Sequence, residues 1–416
     1  MPDGLKRAAP RRAGSGRSSS PASSPASSTP PRTTARPNRP RVGAFLRILL
    51  VWIVGSWSVV GALLAPVVPG GWLAIAGAIV LTTSPLALFL AVRRGRGSSP
   101  GAAFRLLVMR PFWYVQLLLP LLAIAGLAGT LAGLPWGNAG VAGRGALYAM
   151  AAIFAVAAVA GWVGSRQLVV KQLVVRSPDL PPGFDGLRIA QISDLHVGPH
   201  SSRPYLARVA HAVRSANPDL IAVTGDLVDD HAGDVTIYAG VFGALAAPLG
   251  VYVVPGNHDV YAGWAKVRAA LERLPLTVLV NRAVIVEREG DQIAIAGTGD
   301  PAGRHSGDGA GPDVDAALAR VPAGTFVVAL AHNPALWPAL AARGVALTLS
   351  GHTHWGQLAL PALGWSLASP FLEHALGMYE RGRSTLYIHP GTGFWGIPFR
   401  LGALPQVAVI ELRTDP

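Results

Sequence analysis

Hydrophobic and polar residues follow two different patterns along this chain. The first half contains four long apolar stretches, at residues 46 to 67, 72 to 92, 112 to 135 and 145 to 164. Each reaches the roughly 20 residues that an α-helix needs to cross a bilayer. Residues 43 to 164 contain no Asp or Glu, as expected where a carboxylate would lie in lipid. We therefore predict an all-α region of four transmembrane helices over residues 43 to 166.

In the second half the apolar runs are shorter than those of the first half. From about residue 180, apolar runs of strand length such as LRIAQIS, LIAVTG and VYVVPG alternate with loops that contain Gly, Asp or Asn and with amphipathic helical stretches. Strands that alternate with helices indicate an α/β fold. We predict an α/β domain over residues 180 to 416. Residues 1 to 42 are rich in Ser, Pro and Arg, with little to bury, and are predicted to be a disordered basic tail.

Composition agrees with a membrane protein. Hydrophobic residues make up 51% of the chain, and the mean hydropathy is +0.40. The formal net charge is +13, but residues 1 to 164 carry 16 Lys and Arg against the single acid Asp3, whereas residues 165 to 416 carry 19 against 21 Asp and Glu. The basic excess therefore belongs to the membrane half, and we expect no nucleic-acid partner.

Basic residues on the connections predict an orientation. The connection between the second and third stretches carries several arginines, the next one carries only Arg144, and Arg166 and Lys171 follow the fourth stretch. Short cytoplasmic connections are the ones enriched in Lys and Arg. The pattern predicts a multi-pass protein of the cell membrane, with the tail, the middle connection and the C-terminal domain in the cytoplasm.

Five short polar motifs mark the α/β domain, and most of them follow a predicted strand. Their sequences are Asp194-Leu195-His196, Gly225-Asp226-Leu227-Val228-Asp229, Gly256-Asn257-His258-Asp259, Ala331-His332-Asn333 and Gly351-His352-Thr353-His354. One such motif alone occurs by chance in many loops, but five in this order are specific. Because α/β folds gather their sites at the carboxyl ends of strands, we expect these side chains to meet along one edge of a sheet.

The motifs supply the donors of a two-metal hydrolytic site. Two divalent ions about 3.5 to 4 Å apart can clamp and polarise a phosphoryl group and generate a hydroxide nucleophile, and they need a carboxylate between them. Asp226, directly after a strand, is the natural bridging group. The chain has no cysteine, which excludes a thiolate site and favours Mn, Fe or Zn with nitrogen and oxygen ligands.

The order of these motifs resembles the calcineurin-like metallophosphoesterase superfamily over about residues 185 to 412. SGHTHWGQ, GMYERG and LYIHPGTGFWGIPFR are similar to its membrane-associated bacterial subgroup, which includes transmembrane proteins with a metallophosphoesterase domain. The resemblance implies a four-layer αββα sandwich. It also implies two metal sites, the first held by Asp194, His196 and His354, the second by Asn257, His332 and His352, with Asp226 bridging. His258 would be the general acid, oriented or charged by Asp229.

The sequence thus predicts a membrane-anchored, metal-dependent phosphoesterase whose cofactors are two divalent ions. It would hydrolyse a phosphodiester, diphosphate or phosphomonoester by metal-activated water, and a lipid-linked substrate is favoured because the protein lies at the membrane. Two alternatives stay open: hydrolysis of a soluble nucleotide or cyclic dinucleotide, and a non-catalytic membrane sensor or scaffold.

Three further residues bear on the substrate. His200 and His389 follow a ligand loop and a strand end, and are the other histidines expected to approach substrate. Trp355 comes directly after the last motif. Its indole either contacts the substrate or packs under the loop.

Overall fold

The computed structural model describes residues 42–96 and 101–415. The predicted tail therefore lies outside the described residues, except for Val42. The described part has an apolar helical region followed by an α/β domain that contains two six-stranded β-sheets and a small two-stranded one.

Long helices make up the first region. They are α1 (Val42–Leu64), α2 (Gly71–Arg96), the short α3 (Ala102–Phe104), α4 (Arg110–Gly133) and α5 (Ala139–Gly164). A π-helical turn, Arg105–Met109, joins α3 to α4, so that helical structure starts about ten residues before the predicted third stretch. The sequence AAFRLLVMR contains no Gly or Pro that would end a helix there.

Three segments of the described chain are long and apolar enough to cross a membrane: Gly71–Leu88, Ala102–Trp136 and Ala139–Gly164. A fourth apolar helical segment, Val51–Leu64 in α1, is shorter. All four predicted stretches are helical, but only three reach spanning length here. The predicted count of four spans therefore stays a prediction.

The α/β domain contains fourteen strands. They are β1 (Val169–Ser177), β2 (Arg188–Ile192), β3 (Leu220–Thr224), β4 (Val251–Val254), β5 (Thr277–Val278), β6 (Arg282–Arg288), β7 (Asp291–Gly297), β8 (Phe326–Leu330), β9 (Leu347–Ser350), β10 (Ala359–Leu360), β11 (Trp365–Ser366), β12 (Gly377–Arg381), β13 (Ser384–Ile388) and β14 (Gln406–Thr414). One six-stranded sheet has the order β1-β14-β2-β3-β4-β5, and the other has the order β12-β13-β9-β8-β7-β6. Strand β1 pairs with β14 and starts before the predicted domain boundary at residue 180.

The two sheets pack face to face, and each is covered by helices on its other face. The helices are α6 (Arg203–Ser215), α7 (Val235–Phe242), α8 (Asn257–Leu271), α9 (Val314–Leu318) and α10 (Trp337–Ala341). Side chains from both sheets, such as Ile189 and Val328, form one buried cluster between them. Other clusters join the first sheet to α6, α7 and α8, and the second sheet to α9 and α10. The domain is therefore the predicted αββα sandwich, because the strands in the middle bury both of their faces.

The apolar helices contact the sandwich directly. The backbone N–H of Arg400 donates to the carbonyl oxygen of Gly161 in α5, at 2.8 Å. Near the start of the third apolar segment, Nη2 of Arg105 lies 3.3 Å from the carboxylate of Asp234. These contacts hold the N-terminal end of α4 and the C-terminal end of α5 against the α/β domain.

Candidate metal centre

The predicted ligand motifs lie at the carboxyl ends of strands, as expected, but they come from both sheets. Asp194, Asp226 and Asn257 follow β2, β3 and β4 of the first sheet, whereas His332 and His352 follow β8 and β9 of the second. The expectation of one edge of a single sheet was therefore too narrow. Parallel strands of the two packed sheets end on the same side, so that one cleft receives loops from both.

The residues predicted for the first ion form one close group. Nε2 of His354 lies 3.0 Å from Nε2 of His196 and 3.3 Å from Oδ1 of Asp194. Nε2 of His196 lies 3.5 Å from Oδ2 of Asp226. All four side chains are buried. Four donor atoms therefore converge on one small volume.

The residues predicted for the second ion form an adjoining group. Nε2 of His332 lies 3.2 Å from Oδ2 of Asp226 and 3.2 Å from Oδ1 of Asn257. The same Asn257 oxygen lies 2.8 Å from Nδ1 of His352. Because Oδ2 of Asp226 is close to His196 on one side and His332 on the other, Asp226 stands between the two groups.

The electrostatics of the centre focus on Asp226. Burial raises the pKa of this carboxyl, but the neighbouring imidazoles of His332 and His196 outweigh burial and hold it well below its usual range. Burial lowers the pKa of His352 to about 4. Asp226 is thus held in its ionised form and His352 in its neutral form, and these are the forms in which a carboxylate and an imidazole bind a divalent cation.

Backbone conformation sets these residues apart. Left-handed φ angles occur at five of the seven predicted ligands: Asp194 (51°), His196 (44°), Asp226 (51°), His352 (70°) and His354 (50°). Residues other than glycine rarely adopt such angles, because the left-handed conformation costs them free energy. Several such residues in one place are kept in this conformation by the structure around them. The loops turn sharply after each strand and aim their side chains into the cleft.

Close approach of the loops requires glycine at two positions. A Cβ atom on Gly256 would overlap Oδ1 of Asp226, and one on Gly351 would overlap Oδ2 of Asp194. The Gly-Asn and Gly-His pairs of the motifs are thus explained by packing: the residue before the donor must have no side chain.

Two observations test whether this donor set suits metal ions. Oδ2 of Asp194 is buried and has no hydrogen-bond partner in the described part of the chain, an unfavourable state for a carboxylate oxygen unless a cation satisfies it. Nδ1 of His332 lies 2.8 Å from the carbonyl oxygen of Thr224. The Nδ1–H donates there, so Nε2, which faces Asp226 and Asn257, is the ring nitrogen that would bind an ion once its own proton is lost. The residues therefore fit a pair of divalent cations with nitrogen and oxygen ligands.

His258 and Asp229 lie beside this centre, but their pairing differs in detail from the expectation. Nδ1 of His258 donates to the backbone carbonyl oxygen of Asp229 at 2.6 Å, while the carboxylate of Asp229 is 3.8 Å away. That carboxylate is closer to Nδ1 of His196, at 3.4 Å. Asp229 thus contacts His258 through its backbone and a predicted metal ligand through its side chain. Burial and the neighbouring His196 lower the pKa of His258.

Asp259 connects two of the motif loops. Its carboxylate accepts backbone N–H groups from Leu227 at 3.0 Å, Val228 at 3.1 Å and Gly256 at 2.9 Å. Burial, followed by the charge of Asp226, raises the pKa of this carboxyl to about 7. Its contacts are those of a residue that shapes the GDLVD and GNHD loops.

The remaining candidates differ in their positions. His389 is fully buried, and its Nδ1 accepts the backbone N–H of Gly391. The indole of Trp355 donates to the carbonyl oxygen of Ile388 at 3.1 Å and packs beside Trp337. Of the two expected positions, the side chain therefore takes the one in which it packs under the GHTH loop. His200 lines a separate pocket.

Sequence reasoning gave Arg400 no role, although it lies in the quoted LYIHPGTGFWGIPFR segment. The residue is fully buried. Its Nη1 donates to the carbonyl oxygen of His354 at 3.0 Å, and its Nη2 lies 2.8 Å from Nδ1 of the same histidine. The only signal was a single arginine after an apolar run near the end of the chain, which does not identify a partner 46 residues away.

Comparisons with known proteins agree with this geometry. The family model described as calcineurin-like phosphoesterase matches residues 187–356. Two relatives named transmembrane protein with metallophosphoesterase domain, from Danio rerio and Bos taurus, are 35% and 33% identical over 56% and 57% of this chain. The match covers 55% of each, so this chain spans about half the length of these relatives.

A bacterial relative matches over most of its length. The uncharacterized metallophosphoesterase YkuE of Bacillus subtilis is 30% identical, over 58% of this chain and 84% of its own. The family model covers the strands and loops that carry the donors, from Asp194 to His354. The chain described here belongs to the calcineurin-like phosphoesterase family.

Proposed function

We propose that this protein is a membrane-anchored phosphoesterase that uses two divalent ions, Mn, Fe or Zn, to hydrolyse a phosphodiester, diphosphate or phosphomonoester. The observation that carries the proposal is the position of Asp226. Its Oδ2 lies 3.5 Å from Nε2 of His196 and 3.2 Å from Nε2 of His332, so one carboxylate is shared by two groups of donors. Family membership supports the same chemistry.

Seven side chains would hold the ions. Asp194, His196 and His354 would serve the first and Asn257, His332 and His352 the second, with Asp226 between them. When bound, two such ions polarise a phosphoryl group and supply a nucleophile from water. The buried Asp194 oxygen without a partner and the orientation of the His332 ring support this assignment.

His258 would move the proton that the reaction needs. Because Nδ1 donates to the carbonyl oxygen of Asp229, Nε2 is the ring nitrogen left to exchange a proton with substrate. An alkoxide leaving group needs a proton as its bond to phosphorus breaks, and a positioned imidazole can donate it. The carboxylate of Asp229, 3.4 Å from Nδ1 of His196, would orient that ligand.

We further propose that the substrate lies at the cytoplasmic surface of the membrane. The ion pair of Arg105 with Asp234 and the hydrogen bond from Arg400 to Gly161 place the domain against the ends of the apolar helices. A lipid-linked phosphodiester or diphosphate in the same membrane would reach the site at high local concentration. The basic residues near these ends would favour anionic lipids.

The test uses the full chain, purified in detergent and stripped of metal with a chelator. Hydrolysis of an activated aryl phosphodiester should disappear after stripping and return on addition of Mn, Fe or Zn. A substrate panel should then give a higher kcat/KM for a lipid-linked phosphodiester or diphosphate than for a nucleotide or cyclic dinucleotide. Undiminished activity in protein shown to be free of metal would contradict the proposal, and preference for a soluble nucleotide would favour the alternative substrate class.

A further inference from the structure

A pocket of about 200 Å³ lies where the apolar helices meet the α/β domain. We call it the junction pocket. Its walls include Arg110, Arg166, His200, Tyr205, Arg208 and Phe394. None of the seven predicted metal ligands lines it. It is therefore separate from the metal centre.

Positive charge dominates this pocket. Three arginines line it, and no Asp or Glu does. Within the described residues none of the three forms an ion pair with a carboxylate. The guanidinium of Arg166 stacks on Trp162 at 3.6 Å from the ring centroid, and Nη2 of Arg208 donates to the carbonyl oxygen of Arg166 at 3.2 Å. The charge of Asp229 also acts on Arg110 and His200, but this carboxylate does not line the pocket. Three like charges around one small volume would therefore be stabilised by a bound anion.

In a membrane crossed by these apolar helices, the pocket would lie at the depth of the lipid headgroups. The third apolar segment, Ala102–Trp136, has 35 residues. At about 1.5 Å per residue such a helix exceeds by roughly 20 Å the hydrocarbon thickness of about 30 Å. Arg110 is near its first end, and Arg166 comes just after α5 ends at Gly164. Both arginines therefore fit the interface between hydrocarbon and water rather than the hydrocarbon itself.

His200 provides an independent sign of a ligand. Its Nε2 is buried and has no hydrogen-bond partner among the described residues. Its ring lies against Phe394, with 5.0 Å between the centroids. A buried ring nitrogen without a partner is unfavourable, and because His200 lines the pocket, a small rotation of its ring would let this nitrogen donate to an oxygen of a bound anion.

We propose that the junction pocket binds the phosphate group of an anionic phospholipid from the leaflet that faces the α/β domain. Arginine forks match the tetrahedral oxygens of phosphate, and that leaflet supplies anionic headgroups at the level of Arg110 and Arg166. The inference goes beyond the proposed activity, because binding here needs neither the metal centre nor turnover.

The pocket has a physical connection to the metal centre. Gly393 lines the pocket, and its carbonyl oxygen accepts Nε of Arg400 at 3.1 Å. The same guanidinium donates to the carbonyl oxygen of His354. A lipid that orders the wall at Gly393 would thereby also order the segment that carries His354.

Native mass spectrometry of the full chain in nonionic detergent, after removal of metal, tests the proposal. Phosphatidic acid should bind in preference to phosphatidylcholine. The Arg110→Gln/Arg166→Gln variant should weaken phosphatidic acid binding by about tenfold or more, as expected when charge-assisted contacts to phosphate are lost. Arg208→Gln, a change at an exposed residue, gives a second measurement should the double variant fold poorly. The matched control is Arg203→Gln, which removes an exposed arginine of α6 that does not line the pocket.

Inorganic phosphate forms the third arm of the experiment. Millimolar phosphate should compete only weakly, because it lacks the acyl chains that hold a lipid at this depth. Equal binding of phosphatidic acid by wild type and both pocket variants would overturn the proposal, as would equal binding of the two lipids. Binding of inorganic phosphate as tight as that of phosphatidic acid would reject the lipid and assign the pocket to free phosphate.

Discussion

Nη2 of Arg400 lies 2.8 Å from Nδ1 of His354, beneath the group of donors predicted for the first metal ion. The guanidinium also donates to the carbonyl oxygens of His354 and Gly393, and no Asp or Glu in the described chain pairs with it. The backbone N–H of Arg400 bonds to Gly161 of α5. One buried residue thus joins an apolar helix to a predicted metal ligand.

Replacement of this arginine should destabilise the protein. Arg400→Met has a similar length but leaves several buried carbonyl oxygens without a donor. We expect the thermal midpoint of the full chain to fall by about 5 to 10 °C, and metal retention to fall with it. The control is Arg413→Met, which removes an arginine from exposed ion pairs and should change the midpoint little. Equal midpoints for the two variants would show that Arg400 is dispensable.

His258→Gln separates proton transfer from metal binding. The variant should keep its metal content, while kcat falls roughly 10²- to 10⁴-fold for a substrate with an alkyl leaving group. The loss should be smaller for an aryl substrate, whose leaving group needs no proton. His211→Gln, a change on the exposed face of α6, is the control and should behave as wild type. Loss of metal in the His258 variant would instead make His258 a ligand.

Metal binding should depend on pH. Burial lowers the pKa of His332, but Asp226 outweighs burial and raises it well above the ordinary value in the metal-free protein. A ring that is protonated on Nε2 must lose that proton before it can bind an ion, so affinity should rise with pH until His332 is neutral. Calorimetric titration of the metal-free chain with Mn²⁺, in buffers of different ionisation enthalpy, should detect proton release at about pH 7. Affinity independent of pH, without proton release, would contradict this account of His332.

Membrane orientation has its own test. Arg105, in the middle connection, pairs with Asp234 of the α/β domain, so we expect both to lie on one side of the membrane. The distribution of Lys and Arg predicts that this side is the cytoplasm. A reporter active only in the cytoplasm, fused after Pro416, should give signal. The same reporter placed after Asn138, between α4 and α5, should give none. The reverse result would place the domain outside the cytoplasm and direct the search for substrate to the cell envelope.

Much of the candidate site could be predicted from sequence because its determinants are local. Asp226 follows β3, and His352 follows β9, each after a glycine that permits the sharp turn. Strand, glycine and donor are adjacent in the chain, and the carboxyl ends of parallel strands must meet. The αββα sandwich followed from a resemblance carried by the same motifs.

Contacts between distant segments could not be predicted in this way. Arg400 meets His354, and Arg105 meets Asp234, without any periodicity or motif that links them. From the sequence, the carboxylate of Asp229 could face either His258 or His196. In the structure it lies 3.8 Å from Nδ1 of His258 and 3.4 Å from Nδ1 of His196, so it is closer to His196. The division of the donors between two sheets also depends on strand order, which the apolar runs do not encode.

The most direct test of the central claim is the metal content of the purified full chain, measured by elemental mass spectrometry. Hydrolysis of an aryl phosphodiester is measured on the same sample. The wild type should hold about two divalent ions per chain. Asp226→Asn should lose metal from both groups and lose activity with it, because the carboxylate that separates the ions is gone. Asp313→Asn, the same chemical change at the N-cap of α9, is the control and should retain both. An Asp226→Asn protein with full metal content and full activity would contradict a two-metal centre built around Asp226.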